Sequence, residues 1–137
     1  MSATVVSAVR VDITTEASLL AVRSGVREAA VEAKFGIVAQ TKLVTAASEL
    51  ARNVLRYAGR GRMIVEKIER SGRAGVQVVF EDEGPGIADV DLALQDGYSS
   101  GDGLGMGLPG AQRLADEFAL RSVPGEGTVV EIVGWAK

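Results

Sequence analysis

The chain has 137 residues, a length that predicts one domain, residues 1–137, with a core of its own. Hydrophobic residues make up 47% and charged residues 24%, as in an ordinary globular protein. The net charge of -3 argues against nucleic acid as a partner. The absence of cysteine and histidine excludes disulfides, thiolate and histidine metal sites, and Ser-His-Asp triads. The chemistry must therefore use carboxylates, amides, hydroxyls and lysines.

The location of the protein is predicted from what the chain lacks. The first residues show no basic start followed by a long apolar run, and no apolar stretch is long enough to span a bilayer. The lack of cysteine fits a reducing compartment. We therefore expect a cytoplasmic protein with no membrane partner.

Hydrophobic periodicity predicts the elements. The chain begins with a strand at 5–13, followed by a helix that Thr14 and Thr15 cap and that stops near 35–36. A second helix at 38–57 is ended by Gly59 and Gly61. Hairpin strands at 63–69 and 76–80, a helix at 108–118, and hairpin strands at 120–123 and 128–135 complete the order. The apolar stripes of the first two helices are Leu19, Val22, Val26, Ala29 and Ala33, then Leu43, Ala46, Ala47, Leu50, Val54 and Tyr57. Apart from one short helix at 89–94, segment 84–107 shows little periodicity, which is typical of a lid or binding loop.

This order of elements predicts an α+β fold. We expect a two-layer α/β sandwich in which a mixed, mainly antiparallel sheet carries the helices on one face. The other face should be partly open or covered by a partner. Trp135 and Tyr98 could anchor a partner, although a tryptophan on a final strand more often packs into a core.

Two glycine-rich loops point to a nucleotide site. They are Asp82-Glu83-Gly84-Pro85-Gly86 and Gly103-Leu104-Gly105-Met106-Gly107. Glycine allows backbone N–H groups to approach phosphates closely, and a helix that begins at Leu108 adds partial positive charge there. Asp82 ends an apolar strand, where a carboxylate can accept a hydrogen bond from a ligand amine such as that of adenine. The alternative for Asp82 is a strand end followed by a structural turn.

A carboxylate and an amide form the third cluster. Glu49 and Asn53 are four residues apart on the second helix, so both face one side and could serve one metal ion or one reacting group. They lie at the border of the apolar stripe, while Arg52 is expected to point away. The alternative is a solvated flank, since polar residues border most amphipathic helices.

Three other templates fail. Gly105 to Gly110 matches G-x-G-x-x-G, but no apolar strand precedes it, as a dinucleotide site requires. The chain has no P-loop lysine followed by serine or threonine. An EF-hand loop would need a glutamate near Leu92.

In this order the clusters resemble the GHKL family of ATP-binding domains, whose fold is the Bergerat fold and which includes histidine kinases, the Hsp90 chaperone, MutL and type II topoisomerases. The family's N box is matched by Glu49 and Asn53. Its first glycine box is matched by Asp82, Gly84 and Gly86, and its second by Gly103, Gly105 and Gly107. A threonine that supports the adenine pocket is matched by Thr128.

Residues 5–135 resemble most the small RsbT-type anti-sigma switch kinases of this family. The strings that carry this resemblance include Ser48-Glu49-Leu50-Ala51-Arg52-Asn53, Asp96-Gly97-Tyr98-Ser99 and Val123-Pro124-Gly125-Glu126-Gly127-Thr128. The resemblance implies a protein serine/threonine kinase that phosphorylates a STAS-domain protein and, once released, activates a PP2C-type phosphatase in a bacterial stress-signalling switch. Met106 and Asp102 are departures within the lid.

The resemblance also implies roles for the site residues, with ATP and Mg²⁺ as cofactors. Glu49 would accept the proton of the substrate hydroxyl, Asn53 would hold Mg²⁺ and Asp82 would bind adenine. The other expected nucleotide-binding residues are Gly84, Gly86, Ile87, Gly103, Leu104, Gly105, Met106, Gly107, Leu108 and Thr128.

Two alternatives stay open. One is a nucleotide-gated protein that sequesters a sigma factor or phosphatase with little catalysis. The other is a histidine kinase fragment, which would need an external phosphoacceptor histidine because this chain has none.

Overall fold

A computed structural model describes residues 3–87, 94 and 107–136. The helices and strands in chain order are β1 (Thr4–Ile13), α1 (Ser18–Glu32), α2 (Ile37–Asn53), a π-helical turn (Val54–Ala58), β2 (Gly61–Arg70), β3 (Arg73–Asp82), α3 (Gly107–Leu114), β4 (Glu117–Val123) and β5 (Gly127–Trp135). The lid residues Gly103, Leu104, Gly105 and Met106 lie outside the described residues, as do Tyr98 and residues 89–93 of the short helix predicted at 89–94. Within the described ranges, no helix is long and apolar enough to cross a membrane.

The five strands form one sheet in the order β1-β2-β3-β5-β4. Each of the four strand pairs is antiparallel, so the pairing is antiparallel throughout rather than mixed. The predicted hairpins β2–β3 and β4–β5 are both present. Because β5 pairs with β3, Thr128 of the last hairpin comes to lie opposite Asp82. The α+β class is confirmed.

The helices pack on one face of this sheet, where the core lies. The buried residues include the stripes predicted for α1 and α2, with one exception. That exception is Tyr57, which is 45% exposed and does not belong to the core. From the sheet, the core takes inward residues at alternate positions, such as Met63 and Val65 of β2 and Val78 and Phe80 of β3.

Two predicted helix ends are wrong, while a third is confirmed. Thr14 and Thr15 do not cap α1; instead their backbone N–H groups donate to the Ser18 hydroxyl at 3.1 and 3.2 Å. The second helix ends at Gly59 as predicted, since α2 passes after Asn53 into the π-helical turn and Gly59 follows that turn with a φ of 83°. The third helix ends at Leu114, not at 118, because residues from Glu117 onward pair with β5.

The sheet face opposite the helices is partly open, as expected. Three ion pairs lie on it; they are Arg10–Asp12, Arg62–Glu81 and Arg121–Glu131. Trp135 is buried on this face, where it lies so close to Gly75 that a Cβ there would sit 2.6 Å from the ring. The guanidinium of Arg70 stacks over the indole at 4.7 Å from its centroid. Trp135 therefore packs within the fold, as its position on the final strand predicts.

Candidate nucleotide site

Asp82 ends β3 as a half-buried carboxylate. Its Oδ1 accepts the backbone N–H of Gly84 at 2.8 Å, and the carboxylate also accepts a hydrogen bond from the backbone N–H of Thr128. Burial raises the pKa of Asp82 above its ordinary value of 3.8, and the two backbone hydrogen bonds only partly oppose that rise. A carboxylate has about four lone-pair directions, so further acceptor capacity remains for a ligand donor.

The first glycine loop, residues 84–87, packs against the end of the helix layer and against the β4–β5 hairpin. A Cβ on Gly84 would lie 2.6 Å from the Cβ of Ala58, the last residue of the π-helical turn. Gly86 has a φ of 77° and its backbone approaches the Val123 carbonyl so closely that a Cβ would lie 2.5 Å from the oxygen. Both glycines of the predicted first glycine box, Gly84 and Gly86, are thus required by the backbone path.

Hydrogen bonds tie this loop to the hairpin. The N–H of Gly125 donates to the Pro85 carbonyl at 2.7 Å. The N–H of Ile87 donates to the Ser122 hydroxyl at 2.7 Å, and that hydroxyl also contacts the Thr128 hydroxyl at 3.0 Å. Asp82, the loop and Thr128 therefore form one connected polar assembly at the end of the sheet.

Ser122 is the member of this assembly that sequence reasoning missed. It lies on β4, which pairs it with Thr128 on β5. The signal that could have found it is its polarity at an inward position of a strand, two residues after Leu120, which packs against the core.

Glu49 and Asn53 lie on α2, and the structure adds a partner that the helical pattern did not predict. Arg52 does not point away; its Nη1 donates to Glu49 Oε1 at 2.9 Å, and the pair is partly buried. Asn53 is half-buried and is the last residue of α2, just before the π-helical turn. Single π-type turns within helices are found frequently at functional sites.

Close contacts join the π-helical turn after α2 to β2 and to the loop that follows Asp82. Val54 lies against Gly61, where an added Cβ would sit 2.8 Å from the Cγ1 of Val54. Ala58 lies against Gly84, as described above. The turn that follows Asn53 is therefore in direct contact with the loop that follows Asp82. This contact brings the Glu49 and Asn53 end of α2 to the same end of the domain as the glycine loop.

Helix α3 completes this side of the described structure. It begins at Gly107 and packs against α2, with Leu108 contacting the main core. The last glycine of the second predicted box is thus the first residue of a helix that packs against α2, the helix that carries Glu49 and Asn53. The remaining members of that box are in the part of the chain that the structure does not describe.

The donor set fits a nucleotide that carries its own metal ion. Among residues 3–87 and 107–136, no group of three or more Asp and Glu side chains could hold a metal ion. Mg²⁺ in phosphate-transfer sites is usually held by one or two protein groups together with substrate phosphates and water. Asn53, which offers one amide oxygen, suits that kind of shared coordination.

Nearby charge is largely neutralised. Arg62 donates to Glu81 at 2.9 Å and to Glu83 at 2.7 Å, and its hydrogen bonds lower the pKa of Glu83. The two glutamates that flank Asp82 are therefore paired, which reduces their repulsion of an anionic ligand.

The fold and the site together define an ATP-binding domain of the GHKL type. The family model described as histidine kinase-, DNA gyrase B- and HSP90-like ATPase matches residues 38–134, a range that includes Glu49, Asp82 and Thr128, and the chain belongs to this family. The chain is 46% identical over 127 residues to the serine/threonine-protein kinase RsbT of Bacillus subtilis (strain 168), with 93% of this chain and 96% of that protein covered. It is also 32% identical over 100 residues to an anti-sigma F factor of Pasteuria penetrans, with 68% and 66% covered.

Proposed function

We propose that this chain is a protein serine/threonine kinase that transfers the γ-phosphoryl group of ATP to a STAS-domain protein in a partner-switching pathway. The observation that carries the proposal is the 46% identity to a serine/threonine kinase over 93% of this chain, together with the family's ATPase domain. A STAS-domain substrate and a PP2C-type phosphatase as a second partner belong to the proposal, as does the expected cytoplasmic location.

In this proposal the nucleotide lies between the glycine loop and α2. Asp82 accepts a hydrogen bond from the adenine amine, and Thr128 supports it from the neighbouring strand. The backbone N–H groups of the two glycine boxes and the start of α3 hold the phosphates. The residues assigned to nucleotide binding are Asn53, Asp82, Gly84, Gly86, Ile87, Gly103, Leu104, Gly105, Met106, Gly107, Leu108 and Thr128.

The transfer itself needs positioning and one proton acceptor. The substrate hydroxyl oxygen forms a bond to the γ-phosphorus as the bond from that phosphorus to the bridging oxygen of ADP breaks. Glu49 accepts the hydroxyl proton. Its carboxylate must therefore release the hydrogen bond from Arg52 and accept one from the substrate hydroxyl. Asn53 would hold Mg²⁺, which would neutralise charge on the phosphates.

A second function is favoured by the similarity to an anti-sigma factor. In that case the chain sequesters its partner in a nucleotide-dependent manner and transfers little phosphate. The two functions share the nucleotide site and differ only in whether Glu49 acts as a base.

Transfer of label from [γ-³²P]ATP to a purified STAS-domain protein of the same genome separates the two functions. The wild-type chain, Glu49→Gln and the matched control Glu28→Gln are assayed together; Glu28 is exposed on α1. ADP binding is measured in parallel by titration calorimetry.

The proposed kinase predicts label in the STAS protein with the wild type and the control, and its loss with Glu49→Gln. Binding of ADP and of the STAS protein without any transfer by the wild type would establish the sequestering function instead. Absence of ADP binding would overturn both.

A further inference from the structure

The Ser122 hydroxyl occupies the centre of the polar assembly behind the proposed adenine site. It accepts the N–H of Ile87 at 2.7 Å, donates to the Gly127 carbonyl at 3.1 Å and contacts the Thr128 hydroxyl at 3.0 Å. The side chain is half-buried, at the edge of the sheet formed by β4. None of the roles proposed above involves this residue.

By distance alone either hydroxyl could donate to the other, and the count of hydrogens favours one direction. A serine hydroxyl has a single hydrogen, and the Gly127 carbonyl can only accept. With that hydrogen donated to Gly127, the contact between Ser122 and Thr128 is made by the hydrogen of Thr128. The Thr128 oxygen then has only lone pairs left to offer a ligand.

Thr128 and Asp82 are directly opposite each other on neighbouring antiparallel strands, so their side chains lie on the same face of the sheet. Asp82 as a carboxylate offers only acceptors, and Thr128 in this arrangement does the same. The pair therefore matches a ligand group with two hydrogens to donate, such as the 6-amino group of adenine. A 6-oxo group, as in hypoxanthine, would face two acceptors and remain unpaired.

We propose that Ser122 is a specificity-determining residue of the nucleotide site, which selects adenine over 6-oxopurines by holding the Thr128 hydroxyl as an acceptor. Through Ile87, the same hydroxyl fixes the first glycine loop relative to β4. The proposal rests on the proposed nucleotide-binding function, since it concerns the same site. Ser122 acts through Thr128 and the loop, without a required contact to the nucleotide.

The test compares the affinities for ADP and for inosine 5′-diphosphate, which carries a 6-oxo group, by titration calorimetry. The variants are Ser122→Ala, the conservative Ser122→Thr, and the control Ser7→Ala, whose serine lies on β1 at the opposite edge of the sheet. In Ser122→Ala the Thr128 hydroxyl is free to rotate and can donate to the 6-oxo group.

The expected result is a preference for ADP over inosine 5′-diphosphate in the wild type that falls about 10-fold in Ser122→Ala. Ser122→Thr and Ser7→Ala should keep the wild-type ratio of dissociation constants. A purely structural role for Ser122 would weaken binding of both nucleotides equally and leave the ratio unchanged, which would overturn the proposal.

Failure of the inference can be distinguished from failure of the function. If the wild type does not bind ADP, the nucleotide function itself is wrong. If it binds ADP and Ser122→Ala keeps the full preference, only the role of Ser122 is wrong. Should Ser122→Ala not fold, Ser122→Cys serves in its place, because a thiol is a weak donor and acceptor, and an unchanged ratio there would overturn the proposal equally.

Discussion

Arg52 holds the carboxylate of Glu49 by an ion pair of 2.9 Å within a single turn of α2. Both side chains are partly exposed, and pairs of this kind are worth roughly 0–1 kcal/mol. Such a pair orients Glu49 at little cost and can be exchanged when a substrate arrives. The proposed proton acceptor is therefore kept in place by its own helix until a hydroxyl group replaces Arg52.

Glu49→Gln should abolish phosphoryl transfer while ADP binding is kept. Glutamine preserves the size of the side chain but accepts a proton poorly, and general-base catalysis contributes about 10²- to 10⁴-fold in rate. Single-turnover transfer of label to the STAS protein measures the effect. Glu28→Gln should transfer at the wild-type rate, and near-normal transfer by a folded Glu49→Gln would remove Glu49 from the mechanism.

Asp82→Asn should weaken ADP binding by about 10-fold or more, since hydrogen bonds to charged groups are stronger than those between neutral groups. The asparagine amide can also turn its own donors toward the donor amine of adenine. Titration calorimetry with ADP measures this change without any catalysis. An unchanged dissociation constant would place the adenine elsewhere.

The same substitution should stabilise the ligand-free protein at neutral pH. Burial raises the pKa of Asp82, so the contribution of this group to stability is fully present below its ordinary pKa of 3.8 and is lost as the pH rises through the raised value. Asparagine does not ionise and avoids this loss. In thermal unfolding from pH 3 to 8, the stability of the variant should exceed that of the wild type only as the pH rises. An equal difference in stability at all pH values would contradict the raised pKa of Asp82.

Gly84→Ala should destabilise the protein by about 1–3 kcal/mol and weaken ADP binding, because the new Cβ would lie 2.6 Å from the Cβ of Ala58. Removing that second carbon with Ala58→Gly should recover part of the loss, so that the double variant loses less than the sum of the single changes. Denaturant unfolding of the four proteins gives the coupling energy. Gly36→Ala is the control, since no atom lies within 4 Å of a Cβ there; strict additivity would show that the contact has no energetic role.

Acid should release Trp135 from Glu117. Hydrogen bonds from Arg70 and then from the indole N–H lower the pKa of Glu117, so the stability it contributes is present above its ordinary pKa of 4.5 and is lost as the pH falls through the lowered value. Trp135 is the only tryptophan in the chain, so its emission reports this site alone. The acid-induced change in emission should be absent in Glu117→Gln, and its persistence there would assign it to another group.

The local pattern of the sequence was sufficient for most of the elements, and it marked candidate residues for the site. Apolar spacing predicts α1, α2 and both hairpins, and the polar residues at the end of β3 mark Asp82 as a candidate ligand. These features depend on neighbours within a few residues. The resemblance to a known family added the roles of Glu49, Asn53 and Thr128, which remain proposals.

Contacts between distant segments decided the rest. The sequence at 114–118 suits a helix, but Asp116 donates its N–H to Val133 and accepts the N–H of Trp135, so pairing with β5 ends α3 early. The π-helical turn packs against glycines of β2 and of the loop after β3, and no local pattern signals that contact. Ser122 meets Ile87 across 35 residues of chain, and a hydrogen bond at that separation exists only once the sheet has placed β4 beside β5.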